Sequence, residues 1–131
     1  MAYLIGTDVD ALYTAEAVFG VEPASKPKAG AELAEVSDGG QVWRGYPRTI
    51  WLFKAIPVAT YKTAITTTLN IAAGAAYGDV VIYTRDEYDT FAYWEAIIRL
   101  PDPATLERWG AQYLNVALEF VLLNTTAPTP P

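Results

Sequence analysis

The chain has 131 residues, 52% apolar and 18% charged, a balance that calls for a packed core and excludes a disordered polyelectrolyte. A net charge of −6 without histidine argues against attraction to nucleic-acid phosphates or anionic membranes. Zero cysteines exclude a disulfide framework, a thiolate nucleophile and a Cys/His zinc site.

The first residues, Met-Ala-Tyr-Leu-Ile-Gly-Thr-Asp, lack the basic start and long apolar run of a signal peptide. No stretch reaches the roughly 20 apolar residues of a membrane-spanning helix, so the expectation is a soluble protein. Residues 1–30 read as an N-terminal arm or linker. Within them, 7–19 fits a short helix capped by Thr7, with Val9, Leu12 and Tyr13 on one side and Gly20 as its stop. It fits an extended arm equally well, because "VEPASKPKAG" follows as a connector without a period.

From Ala31 the punctuation becomes regular. "AELAEVS" alternates weakly and stops at Asp38-Gly39-Gly40, a strong turn signal. "QVWR" is a short strand halted at Gly45-Tyr46-Pro47, and "TIWLFKAI" is a β-branched and aromatic strand ended by Pro57. Trp51, Phe53 and Ala55 share one face of it and Ile50, Leu52 and Ile56 the other, so both faces are expected to be buried. Pro57 suits the first position of a helix, where its missing N–H costs nothing. Val58, Tyr61, Ile65, Leu69 and Ala72 recur at three- and four-residue steps and predict a helix over about 57–73, with Gly74 as terminator.

Three further strands follow. "DVVIYT" is apolar on both faces, and "TFAYWEAIIRL" sets Ala92, Trp94, Ala96, Ile98 and Leu100 against Glu95 and Arg99. "YLNVALEFVLL" alternates most clearly, with Leu114, Val116, Leu118, Phe120 and Leu122 on the core side. Between the last two, "DPATLERWG" predicts one or two helical turns with Asp102 as cap, Pro103 first, Gly110 as stop, and Leu106 and Trp109 turned inward. Residues 124–131 read as a flexible proline-rich tail. Five or six strands and one main helix without βαβ alternation give an α+β class: an antiparallel β-sandwich or rolled sheet over 31–123, flanked by that helix.

Chemistry-bearing motifs are sparse. Ser25 and Ser37 are the two serines, and neither sits at a sharp strand-to-helix turn. Paired carboxylates hydrolyse glycosides or hold calcium, but Asp8/Asp10 and Asp86/Glu87/Asp89 fall where solvated loops are expected and miss the EF-hand spacing. Thirteen tyrosines and tryptophans allow a sugar-stacking platform, with Trp43 and Tyr46 as candidates, although large aromatics more often fill cores and subunit interfaces. Asn124-Thr125-Thr126 matches a glycosylation acceptor, a chance match without a secretion signal. The expectation is no catalysis, no cofactor and no metal site.

The order of parts carries a resemblance. "DGGQVWRGYPRTIWLF" leads into a helix, then come "GDVVIYTR", "FAYWEAIIRLPDP" and "VALEFVLL". Residues 37–123 thereby resemble small tailed-bacteriophage virion proteins of the tail-tube and distal-tail type. The resemblance implies a β-sandwich beside one helix and a structural role in the virion tail, assembled in the host cytoplasm. Copies would form rings, hexameric or trimeric, that join other tail proteins into a conduit for non-specific DNA passage, without membrane contact. Trp43, Arg44, Tyr46, Ala73, Ala75 and Tyr77 are then expected at subunit interfaces, and Glu95 and Glu119 on the face toward the lumen. A capsid-decorating protein and a carbohydrate-binding module are the alternatives.

Overall fold

The computed structural model describes residues 3–28, 32–35, 41–44, 46–72, 74–85 and 90–128. Among these residues ten strands and two short helices follow in order: β1 Leu4–Gly6, β2 Leu12–Thr14, α1 Ala15–Phe19, β3 Ala24–Lys28, β4 Glu32–Glu35, β5 Gln41–Arg44 and β6 Arg48–Pro57. After them come α2 Val58–Thr63 with a π turn Ala64–Thr68, then β7 Tyr77–Arg85, β8 Phe91–Arg99, a 3₁₀ turn Pro103–Thr105, β9 Glu107–Trp109 and β10 Gln112–Thr126. The sheet is antiparallel and open, ordered β2-β1-β7-β8-β10-β6-β3, with β9 paired to the start of β10; β4 and β5 pair with each other. This is a β-rich α+β fold.

The sheet coils strongly. Trp51 on β6 donates its indole N–H to Thr84 Oγ1 on β7 at 3.1 Å, although β8 and β10 lie between those strands. In a flat sheet three strand spacings would hold them roughly 14 Å apart. Curling brings the halves together, and the side chains inside the curl form the core: Ile5, Trp51, Phe53, Ile82, Ile98, Leu118 and Phe120 among them. Trp51 and Phe120 pack with ring centroids 4.7 Å apart, and Phe19 from α1 reaches Phe53 at 4.9 Å. Both helices lie on this inner face, contributing Val18 and Phe19 from α1 and Ala64 and Ile65 from the π turn.

The N-terminal segment, expected as an arm or linker, is woven into this core. β1 lies inside the sheet between β2 and β7, and Ile5 is fully buried. The short helix begins at Ala15 rather than after Thr7. Thr14 is its cap, accepting from the Ala17 N–H at 3.2 Å, and Gly20 closes it in the left-handed conformation as expected. The connector 24–28 forms β3 against β6.

The main helix is shorter than its apolar stripe suggests. Pro57 caps it rather than opening it, and the α-helical part ends at Thr63. Its last turn widens, with Leu69 N–H bonded to Ala64 O, and Asn70 at φ 52 breaks it before Gly74. A run of threonines, weak helix formers, gives the backbone little reason to continue. The widened turn directs Leu69 and Ile71 into the core and leaves Ala72 exposed.

β10 departs from strict alternation at Asn115, also at φ 52. Beyond it Val116, Leu118, Phe120 and Leu122 are buried as expected. Before it the phase reverses: Tyr113, opposite fully buried Ile56, packs on the core, and Leu114 is only half-buried. β6 changes phase at the same level, so Ala55 yields its inward place to Ile56; Ile50 and Leu52 are half-buried. Residues 124–126, expected in the tail, extend β10 beside β8.

Candidate functional site

The convex face of the sheet carries an ion cluster across three strands. Glu119 Oε1 on β10 accepts from Arg48 Nη1 on β6 at 3.2 Å and from Arg99 Nη1 on β8 at 3.3 Å. Side chains two residues apart on a strand share a face, and the half-buried Ile97 and Val121 flank this cluster. Glu119 thus lies on the outer face as expected, but two guanidiniums outweigh its charge. Glu95 is exposed on the same face of β8.

A second feature lies where α2, the 72–76 segment and the start of β10 meet. The Val58 N–H at the head of α2 bonds to Ala111 O at 2.8 Å, tying the helix to the β9–β10 turn. Leu100 N–H bonds to Ala76 O at 2.9 Å and holds the opposite wall. Between them opens a pocket of about 550 Å³, floored by Val58, Ile65, Ala75 and Leu100 and rimmed by Tyr61, Tyr113, Lys62 and Asp102. That volume is in the range of ligand or side-chain pockets, roughly 300–1,000 Å³. Tyr61 and Tyr113 meet edge to face at 5.5 Å.

Burial, with the Tyr113 phenol beside it, pushes the Tyr61 pKa from 10.0 to about 12. A folded-state pKa above the unfolded one means the native state holds its proton longer. The stabilisation is complete below pH 10 and lost as pH rises from there through about 12. Absorbance titration at 295 nm is expected to show a late-ionising tyrosine that disappears in Tyr61→Phe. An unchanged titration curve in that variant would remove Tyr61 from this environment.

The other expected site residues are dispersed. Trp43 and Arg44 lie on β5, in register with Leu33 and Glu32 of β4. Tyr46 is 56% exposed just before β6, and Tyr77 is 65% exposed at the start of β7 beside the pocket wall. Ala75 lines the pocket, and Ala73 lies outside the described residues. Asp8 and Asp10 are exposed before β2, while Asp86, Glu87 and Asp89 lie outside the described residues. Among the described residues no group of three His, Cys, Asp or Glu side chains is placed to hold a metal.

Trp109 corrects the sequence expectation most sharply. Expected inward on a helical turn, it sits on β9 and is 78% exposed. The 3₁₀ turn with its Asp102 cap forms as expected but ends at Thr105, so the chain is extended again by Glu107. Gly110 at φ 61 takes the first of two loop positions, the place a II′ hairpin turn gives to glycine. Among the described residues the exposed large rings are Tyr13, Tyr46, Tyr77 and Trp109. Sequence reasoning missed Tyr61, Tyr113 and the pocket, because they meet only through tertiary contacts.

Comparison with protein-family models, curated proteins and solved structures finds no match. The class that the fold defines is therefore a β-rich α+β protein with an open, coiled antiparallel sheet and two short helices.

Proposed function

We propose that this protein is a non-enzymatic structural subunit of a bacteriophage virion, a tail-tube or tail-end component whose copies assemble into rings around the DNA path. The observation that carries the reading is the shared register of the β3–β6 and β4–β5 ladders. Lys28 faces Arg48 and, four residues farther along each strand, Glu32 faces Arg44, so both ladders keep one register. β3–β6 is paired into the main sheet, and β4–β5 forms a separate two-stranded ladder. Among the described residues β4 and β5 pair only with each other, and such a two-stranded ladder is a device for pairing with neighbouring subunits.

In this reading the coiled sheet serves as the β-sandwich of the subunit, and an acidic chain of net charge −6 suits a conduit that must not hold DNA phosphates. Exposed Glu95 is the stronger candidate for the lumen, since Glu119 is neutralised by Arg48 and Arg99. Trp43 and Arg44 on β5, with Tyr46 just before β6, take the role of contact with a neighbour. Negative-stain electron microscopy of the purified protein tests this directly. Rings or tubes are expected, and featureless monomers at high concentration would overturn it.

A further inference from the structure

We infer that Trp109 is an anchor that inserts into the pocket between α2 and the 100–102 segment of a second copy, in a head-to-tail contact. The inference rests on the self-assembly in the proposed function and names its contact surface. Tryptophan is the side chain most enriched among residues that dominate binding energy, and an indole 78% exposed has its apolar area still to bury.

The tip that carries it is held in place. Arg108 Nε donates to Gly110 O at 3.0 Å, and Asn115 Nδ2 donates to Glu107 Oε2 at 3.2 Å across the hairpin. Such pre-ordering lowers the entropy lost on binding. The socket is an apolar pocket of about 550 Å³ whose small residues Ala72, Ala75 and Ala76 leave room for a large ring.

The indole does not fill the pocket of its own chain. Trp109 pairs with Gln112, and Arg108 pairs with Tyr113. Neighbouring residues on a strand point to opposite faces, so Trp109 lies across the ribbon from Tyr113, which lines the pocket. Plug and socket are therefore separate patches on opposite sides, the arrangement that links copies head to tail into a ring or a filament rather than a two-fold dimer. The pocket rim carries one charge of each sign: Asp102, which caps the 3₁₀ turn by accepting from the Ala104 N–H at 2.9 Å, and exposed Lys62, the counter-charge this docking assigns to Glu107 on the face of Trp109. One ring buries only about 150–250 Å², well short of the ~1,000 Å² of a stable interface. Trp109 thus anchors a wider contact that takes in exposed Tyr77 beside the socket.

Sedimentation velocity over a concentration series of the full chain tests the contact. Trp109→Ala empties the plug and Ala72→Trp fills the socket; both positions are exposed, so thermal unfolding should match the wild type. Each is expected to weaken association about tenfold or more. Glu107→Lys and Lys62→Glu should each weaken it, and the double variant should restore it. Trp109→Ala protein that assembles like wild type overturns this contact while leaving ring assembly standing, as does a charge-swapped pair no better than its parents. Wild-type protein that stays monomeric throughout overturns the contact and the assembly reading together.

Discussion

Leu118→Asp is expected to yield no folded protein. Leu118 is fully buried on the inner face of β10, directly across from Trp51 on β6, and the neighbouring Phe120 packs against the same indole. The buried polar side chains described in that core are Thr49 and Thr84, both uncharged. A carboxylate there has no cationic partner and costs several kcal/mol, comparable with the roughly 5–15 kcal/mol that holds a domain together. Leu118→Ala, which leaves only a cavity, should cost about 2–5 kcal/mol and remain foldable. Urea unfolding followed by near-ultraviolet circular dichroism measures both. A cooperative transition for Leu118→Asp near the wild-type midpoint would place this side chain outside the core.

Removing residues 1–20 is expected to be nearly as damaging. The segment carries β1, which pairs with β7 from Leu4 to Gly6, and its deletion takes Tyr3, Ile5, Val18 and Phe19 out of the core. Phe19→Ala alone should lower stability by about 3–5 kcal/mol, because its ring is fully buried against Phe53. The readout is again the urea midpoint, with the truncated chain expected to lack a cooperative transition. A truncated protein that unfolds cooperatively would show that β1 adds to the sheet without completing it.

These two cases differ in how far the sequence foretells them. Leu118 lies in the most regular alternation of the chain, and its burial is legible at once, because a period of two puts every second side chain on one face. The N-terminal segment has no such period. Three residues of β1, three of β2 and five of α1 are each too short for a pattern to emerge. Their place depends on docking to β7 and to the inner face of β6, which no local signal encodes.

The candidate site divides the same way. Glu119 is legible as an outward residue, but its pairing with Arg48 and Arg99 joins positions distant in sequence through the registers of two separate ladders. The local signal at Trp109 points the other way, because Asp102-Pro103 does start a turn. The chain leaves that turn after one revolution to pair Glu107 with Leu114, and a backbone hydrogen-bond ladder outweighs the weak preference to continue a short helix.

The amino-acid sequence by itself determined the class of the fold, the bounds of most strands from Glu32 onward, the turn at Gly20, the cap at Asp102 and the inward side of β10 after Asn115. These are local matters, decided by side-chain period, by turn residues and by whether a backbone N–H finds a nearby oxygen. Tertiary structure alone decided the coil that brings Trp51 to Thr84, the phase changes at Asn115 and Ile56, the early end of the helix in a π turn, and the meeting of Tyr61 with Tyr113 over the pocket. Each of these trades a small local cost, a left-handed asparagine or a widened turn, for burial of large side chains, and that gain exists only once distant strands have come together.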